Sequence, residues 1–332
     1  MSLTTRLTQF FGIKHPILLA PMAMTSGGRL AAAVTAAGGL GLIGGGYGEA
    51  DWLRRQFDQT GGERVGCGFI TWSLARHPEL LDTSLARDPA TIMLSFGDPQ
   101  NFADRIHAAN IPLTCQVQTV GQARRVLDVR PDIIIAQGSD AGGHGMSVRS
   151  TFTLIPDVVD LVAEHSPDTL VLAAGGIADG RGLAAALALG ADGALVGTRF
   201  WAAKEALVSA RSHQRAIEAS GDDTIRTRVY DIVRQRDWPE EYNLRVLSNS
   251  LIQAWHGNES ELMACLPDTL SAYEMAVSAE DFDIVTILVG EAVGLIHEIR
   301  SAADIMREMT RDAARILNRP VGRSPDEPNQ KA

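Results

Sequence analysis

The 332-residue sequence predicts an α/β fold, a (β/α)8 TIM barrel with a mainly helical insertion after the eighth strand. Three observations lead to this prediction. Eight short apolar runs occur between residue 16 and about residue 200, helical patterns separate them, and a more highly charged pattern follows. A length of roughly 200 to 400 residues fits one such barrel with insertions.

The eight apolar runs are expected to form the barrel strands. They are continuous rather than alternating, which indicates burial on both faces and a parallel sheet covered by helices. Segments between them, such as Leu30–Ala37, Gln122–Leu127 and Gly182–Leu189, have helical patterns. Eight βα repeats favour a closed barrel over an open sheet. The runs are Pro16–Ala20, Gly39–Ile43, Val65–Ile70, Thr91–Leu94, Leu113–Val117, Asp132–Ala136, Leu170–Ala174 and Ala194–Gly197.

The chain divides into four predicted parts. Residues 1–200 form the barrel core, and residues 201–285 form a helical insertion near the barrel mouth. Residues 286–317 form a closing helix that returns to the barrel, because the helical pattern resumes over Val289–Met309. Residues 318–332 are polar and rich in proline, which predicts a flexible tail.

Composition excludes several classes of function. The net charge of −10 disfavours binding to a nucleic acid backbone. Three separated cysteines without a CxxC pair indicate reduced thiols and a cytoplasmic protein. No apolar stretch approaches the roughly 18 residues of a membrane span, and scattered histidines give no metal-binding pattern. We expect a cytoplasmic enzyme with a small-molecule substrate, no membrane partner and no metal, and a homodimer is compatible with the sequence.

Candidate catalytic residues follow the apolar runs, because barrel enzymes carry their chemistry at the carboxyl ends of the strands. The sixth run is followed by Gln137–Gly145, where four glycines surround His144. Glycine lets the backbone approach a ligand, and the pKa of histidine lies nearest to physiological pH. A lone histidine is usually structural, but this position favours a functional one.

The ends of three other predicted strands also carry residues that can contact a ligand. Gly175-Gly176 follows the seventh run and Gly197-Thr198 the eighth, where barrels recurrently bind phosphate through backbone N–H groups. Pro21 after the first run is either a rigid shelf beside a ligand or a simple strand end.

The sequence also resembles a known family. The segments PILLAPMA, AQGSDAGGHG and LAAGGIADGRGLAAALALGADGALVGTRF are similar to those of the nitronate monooxygenase family, formerly called 2-nitropropane dioxygenases. The similarity covers most of residues 5–200 and resumes near 289–310. It implies a TIM barrel with non-covalently bound FMN. It also implies oxidation of alkyl nitronates by O2 to a carbonyl compound and nitrite, with neutral nitroalkanes as a further candidate substrate.

The resemblance assigns residues to this chemistry. His144 would be the catalytic base or substrate anchor beside the flavin. Two departures affect substrate preference: Asp140 replaces the family's usual glutamate, and Gly145-Met146 replaces a basic residue. The implied cofactor-binding residues contact the flavin ring, its polar edge or the phosphate, and are Pro21, Met22, Ala23, Gln116, Gln137, Gly138, Gly143, Gly175, Gly176, Gly197 and Thr198.

Two alternatives remain open. An NAD(P)H-dependent flavin reductase, either a quinone reductase or a flavin-dependent enoyl-acyl-carrier-protein reductase, would have a similar loop containing Gly-Gly-His. A lyase or isomerase barrel could use the same glycine turns for a phosphorylated substrate. A flavin spectrum separates the second alternative from the others.

Overall fold

Eight parallel strands form the central sheet of a computed structural model that describes residues 3–319. Within the described residues the strands are β1 Ile17–Leu19, β2 Leu42–Gly44, β3 Gly66–Ile70, β4 Ile92–Ser95, β5 Leu113–Val117, β6 Ile133–Gln137, β7 Gly143–Gly145, β8 Leu170–Ala174, β9 Gly193–Val196, β10 Thr224–Thr227 and β11 Asn243–Leu247. The parallel sheet has the order β1-β9-β8-β6-β5-β4-β3-β2. A parallel bridge between Leu18 and Leu40 joins its two edges, so the sheet closes into the predicted barrel.

The predicted strands are confirmed, with small differences at their ends. β5 and β8 have the predicted bounds, whereas β2 begins at Leu42 rather than at Gly39. Packing explains this difference, because a Cβ on Gly41 would lie 1.9 Å from the carbonyl oxygen of Ala31. The backbone there is pressed against a helix, and only Leu40 still pairs with the first strand.

Helices alternate with the strands and cover the outside of the barrel. Short 3-10 helices occur at Leu127–Val129, Gly221–Asp223 and Glu291–Leu295. The α-helices are α1 Arg6–Phe11, α2 Gly28–Ala36, α3 Ala50–Asp58, α4 Thr71–Leu74, α5 Glu79–Leu85, α6 Gln100–Ala108, α7 Val120–Val126, α8 Thr151–His165, α9 Gly180–Ala188, α10 Thr198–Trp201, α11 Ala210–Ile217, α12 Val229–Val233, α13 Ser250–Trp255, α14 Glu259–Ala264, α15 Leu266–Ala279 and α16 Ala302–Leu317.

Helix α16 completes the eighth βα unit, because it packs between α9 and α2. The helical pattern was expected to resume at Val289, but the helix begins at Ala302. Ser301 caps it there by accepting a hydrogen bond from the N–H of Asp304. Gly290 instead contacts the mouth of the barrel, where its N–H donates to Thr198 Oγ1 at 2.9 Å.

The barrel has an inner and an outer apolar core. Leu18, Ile135 and Leu172 pack inside it, while their neighbours on the same strands face the helices. Leu7 of α1 joins the inner core, and a Cβ on Gly193 at the start of β9 would lie 2.5 Å from its side chain. Helix α1 therefore closes the amino-terminal end of the barrel, so a ligand enters from the carboxyl end.

The segment between β9 and α16 is mainly helical, as predicted, but it also contains β10 and β11. These strands pair with each other and with β7 in a three-stranded antiparallel sheet of order β10-β11-β7. In β11, Leu244 and Val246 are buried and Arg245 is partly exposed, an alternation typical of such strands. A separate apolar core that includes Tyr230 and Leu262 lies beneath them.

The division at residues 200, 285 and 317 stays a prediction. The predicted flexible tail, 318–332, lies outside the described residues from position 320 onward. Across residues 3–319, no helix combines the length and the apolar character that crossing a membrane requires.

Candidate active site

A cavity of about 420 Å³ lies at the carboxyl end of the barrel, within the range of roughly 300 to 1,000 Å³ that is usual for ligand sites. It is lined by Ala20, Pro21, Met22, Ala23, Met24, Thr25, Gly45, Gly46, Tyr47, Glu49, Gly68, Phe69, Ile70, Ser95, Phe96, Gln116, Gln137, Asp140, Ala141, Gly142, Gly143, His144, Ala174, Gly175, Gly176, Ile177, Leu195, Gly197, Thr198, Trp201, Arg234, Arg236, Trp238, Leu288, Gly290 and Ala292.

The structure brings the residues singled out in the sequence together, with one exception. Those that line the cavity are Pro21, Met22, Ala23, Gln116, Gln137, Gly143, His144, Gly175, Gly176, Gly197 and Thr198. Gly138 lies behind the wall, where a Cβ would be 2.2 Å from both the backbone nitrogen and Oγ1 of Thr151. Glycine is needed there so that α8 can approach, and a direct role of Gly138 in binding a cofactor stays a prediction.

The turns after β8 and β9 form a cradle with free backbone donors. Gly175 and Gly176 have φ values of 106° and 73°, a region that disfavours side chains. A Cβ on Gly197 would find only ordinary contacts, the closest at 3.5 Å. Within the described part of the chain, the N–H groups of Gly176 and Gly197 donate to no protein acceptor. Thr198 Oγ1 accepts from Gly290, which leaves its hydroxyl proton available. The cradle suits an anion such as a phosphate.

Three glutamine amides organise the floor of the cavity. Gln137 Oε1 accepts hydrogen bonds from Gln116 Nε2 at 3.0 Å and from Gln118 Nε2 at 2.9 Å. Gln137 Nε2 donates in turn to the backbone oxygen of His144 at 3.2 Å. Gln118, which the sequence did not single out, therefore helps to orient both the floor and the histidine backbone.

His144 sits on β7 and is almost fully buried, with 8% of its surface exposed. Its Nε2 lies 2.9 and 3.1 Å from the two carboxylate oxygens of Asp231, which is 2% exposed. Burial lowers the pKa of the His144 imidazole, and the hydrogen bond to Asp231 offsets this only in part. The lowered pKa favours the neutral ring, which can accept a proton from a substrate.

Aromatic side chains fix the orientation of the His144 ring. The indole of Trp238 stacks on the imidazole with ring centroids 3.4 Å apart and planes 8° from parallel. Phe96 packs edge-on against Trp238 at 5.1 Å, and Tyr242 packs edge-on against Phe96 at 5.3 Å. Rotation of the imidazole would have to displace this cluster.

Arg226 of β10 holds the loop that carries His144. Its guanidinium donates to the backbone oxygens of Ser139 at 3.0 Å, Ala141 at 3.2 Å and Gly145 at 3.3 Å. Burial lowers the pKa of Arg226 to about 10, with the neighbouring Arg245 adding to the shift. It therefore remains charged at neutral pH while it satisfies backbone carbonyls of the loop, sharing that of Ser139 with Arg245 Nε, which donates to it at 3.1 Å.

Two further arginines give the cavity wall a positive character. Arg234 and Arg236 both line the cavity, and the guanidinium of Arg236 lies 4.3 Å from the ring centroid of Tyr47. Arg234 Nη2 is 3.9 Å from a carboxylate oxygen of Asp231. These cations favour an anionic ligand although the whole chain is acidic.

Sequence reasoning missed the residues that surround His144. Asp231, Trp238, Arg226 and Arg234 all come from the segment between β9 and α16, to which the rule about strand ends does not apply. One readable signal was available. Asp231 interrupts the apolar stretch Val229–Val233, and a charge in such a stretch is rarely buried without a partner.

The chain is similar to known proteins over most of its length. The family model described as nitronate monooxygenase matches residues 4–61 and 76–312. A protein named nitronate monooxygenase npaC, from Metarhizium robertsii, is 32% identical, over 92% of this chain and 92% of that one.

Two solved structures are also similar. FabK from Thermotoga maritima has a TM-score of 0.83 and 30% identity, over 95% of this chain and 98% of that one. The nitroalkane oxidase from Streptomyces ansochromogenes has a TM-score of 0.77 and 25% identity, over 93% and 98%. Both matches span nearly the whole chain.

Proposed function

The chain belongs to the nitronate monooxygenase family of flavin-dependent oxidoreductases, and we propose that it uses FMN and O2 to oxidise alkyl nitronates to a carbonyl compound and nitrite. One observation carries this proposal. One cavity at the barrel mouth combines the anion cradle, the apolar side chains of Pro21 and Met22, and the buried His144 with its lowered pKa.

The residues of the cavity fit FMN. The cradle formed by Gly176, Gly197 and Thr198 would hold the phosphate, and its donors have no acceptor elsewhere in the described chain. Pro21 and Met22 would lie along the isoalloxazine, and the amides of Gln116 and Gln137 would face its polar edge. When bound, the flavin supplies the electron-accepting chemistry, while the protein binds and orients the substrate.

The arginines that line the cavity suit a nitronate. A nitronate is an anion, and the guanidinium groups of Arg234 and Arg236 would attract it into the cavity. A nitronate is already deprotonated, so His144 only has to orient it. A neutral nitroalkane must first lose a proton from the carbon next to its nitro group. The neutral imidazole of His144 is the base that would remove this proton.

The experiment that tests the proposal combines a spectrum, an assay and one variant. The purified protein should be yellow, release FMN on heat denaturation and form nitrite from nitronates under air. His144→Ala should keep the flavin but lose turnover of neutral nitroalkanes by about 10² to 10⁴-fold, the usual contribution of a general base. His165→Ala, a change outside the cavity, is the control. Full nitroalkane turnover by His144→Ala would refute the assigned role.

The similarity to FabK favours a second candidate, an NAD(P)H-dependent flavin reductase. The two candidates differ in what reduces the flavin. Anaerobic bleaching of the bound flavin by NADH or NADPH, with no nitrite released from nitronates under air, would establish the reductase. Nitrite release without any requirement for NAD(P)H would establish the monooxygenase.

A further inference from the structure

We propose that Asp231 is a positioning residue that holds the proton of neutral His144 on Nε2, so that Nδ1 is the atom that receives the substrate proton. This inference rests on the proposed role of His144 as a base. It adds the atom that acts and the residue that selects it.

The hydrogen bond between the two side chains defines the tautomer. Both carboxylate oxygens of Asp231 lie within hydrogen-bonding distance of Nε2, at 2.9 and 3.1 Å. A carboxylate can only accept, so Nε2 must donate and carry the proton. In a neutral imidazole the lone pair is then on Nδ1. Both residues are buried, at 8% and 2% exposed, so water cannot readily replace either partner.

The surroundings of the ring prevent the two nitrogens from exchanging places. Trp238 covers one face of the imidazole at 3.4 Å, and Phe96 packs edge-on to it at 6.4 Å. The backbone of His144 is held in β7 by pairing with Leu244. Over residues 3–319, Nδ1 has no hydrogen-bond partner in the protein, while the residue itself lines the cavity. Nδ1 is therefore the nitrogen left for a substrate.

The charges around the ring make Asp231 the group that stabilises the protonated state. The charged groups that act on His144 are Asp231, Arg234 and Arg226. Asp231 favours the imidazolium that forms when Nδ1 takes up a proton, whereas the two guanidinium groups oppose it. Removal of the carboxylate would leave only burial and the opposing cations. A weaker base and loss of the required tautomer should follow together.

The test uses the flavin-loaded protein and Asp231→Asn. An asparagine amide can present either its oxygen or its NH2 group to Nε2, so the tautomer is no longer imposed. Turnover of neutral nitroalkanes should fall on the order of 10³-fold, within the range expected for a general base. Turnover of a preformed nitronate should change less than about tenfold, because it needs no proton abstraction. The acidic limb of kcat/KM should move to lower pH, and Asp231→Glu should recover part of the loss.

The matched control is Asp237→Asn in the same segment. Asp237 is exposed, its carboxylate lies 3.4 Å from Arg76, and it is not among the charged groups that act on His144, so the change should leave both turnovers and the pH profile unaltered. An equal loss with nitroalkane and nitronate in Asp231→Asn would overturn the proposal. So would full nitroalkane activity in that variant.

A direct measurement keeps the proposal testable if the buried substitution prevents folding. The ¹⁵N NMR spectrum of labelled wild-type protein at pH 8 should show His144 protonated at Nε2 and not at Nδ1. The opposite tautomer would overturn the proposal. A protein with the expected tautomer that forms no nitrite would contradict the proposed function and still support the role of Asp231 in fixing the proton.

Discussion

At the scale of single residues, the candidate chemistry depends on one imidazole held by three different contacts. Asp231 binds its Nε2, Trp238 covers one face, and pairing with Leu244 holds its backbone. A hydrogen bond to a charged group contributes about 1.5–3 kcal/mol to stability. Restraint of this kind keeps a reacting atom in place without the entropic cost of ordering it in each turnover.

The anion cradle gives the first prediction at this scale. Gly197→Asp would place a negative charge among donors that face a phosphate, whereas Gly197→Asn adds nearly the same volume without the charge. The site has room, since the closest atom to a Cβ there is Ala20 Cβ at 3.5 Å. We expect the aspartate variant to be purified nearly colourless and the asparagine variant to retain most of its flavin, as measured by the flavin-to-protein absorbance ratio. Equal flavin content in the two variants would place the phosphate elsewhere.

At the scale of elements, the small sheet β10-β11-β7 joins the histidine loop to the segment between β9 and α16. β7 is only three residues long, and it pairs with β11 through Asn243, Leu244 and Arg245. Such a short strand has little stability of its own. It depends on the sheet that it joins and on the side chain of Arg226, which binds three carbonyls of the loop.

The hydrogen bonds from Arg226 to the loop carbonyls predict that replacing this residue lowers the stability of the protein. Arg226→Met removes the hydrogen bonds to the carbonyls of Ala141 and Gly145, while Ser139 keeps its bond from Arg245, which should lower the free energy of unfolding by about 1.5–3 kcal/mol. Arg226→Lys should restore little, because a lysine ammonium cannot reach several carbonyls in the fork geometry of a guanidinium. Urea unfolding measures both changes. Arg181→Met removes only an exposed ion pair with Asp179 and is the control, which should change stability by less than about 1 kcal/mol. Full stability of Arg226→Lys would show that charge alone suffices.

At the scale of the whole molecule, three parts of the chain leave one side of the barrel for chemistry. Helix α1 closes the amino-terminal end, α16 fills the gap between α9 and α2, and residues 201–301 build the wall of the mouth. The inner core excludes water from the barrel itself. The cavity at this end is lined by Arg234 and Arg236, in a molecule whose net charge is −10.

Three histidines have a pKa that is lowered by full or partial burial, and they predict how the stability of the protein depends on pH. Burial lowers the pKa of His15, His144 and His213 in the folded protein, so the unfolded chain binds more protons just below pH 6.5. Stability is complete above that pH and falls as the pH drops through it. The slope is at most about 1.4 kcal/mol per pH unit for each histidine.

His213 offers a test away from the cavity mouth. His213 is buried, and its Nε2 lies 2.9 Å from the backbone oxygen of Trp201, a bond that a glutamine amide can also donate. In His213→Gln the decline in stability below pH 6.5 should be shallower than in the wild type, as followed by urea unfolding at several pH values. Above pH 8 the two proteins should show the same dependence. An unchanged slope in acid would mean that His213 does not contribute.

Much of the barrel could be predicted because its signals are local. An apolar run such as Leu113–Val117 or Leu170–Ala174 is buried on both faces wherever it lies in a parallel barrel, and the strand bounds match the runs. β2 differs because Gly41 presses against Ala31, a contact between two elements that periodicity does not contain. β10 and β11 were missed because their alternation is short and stands among helical patterns.

The barrel, the glycine turns after β8 and β9, and the position of His144 at a strand end can all be read from the amino-acid sequence. Parallel strands in a barrel all end at the same mouth, so residues that follow apolar runs must meet there. The tertiary structure alone decided what surrounds the histidine. Asp231 lies 87 positions away along the chain, in a helix whose location depends on how residues 201–301 pack over the mouth. Local pattern sets which elements form, whereas contacts between distant segments depend on packing that no local pattern encodes.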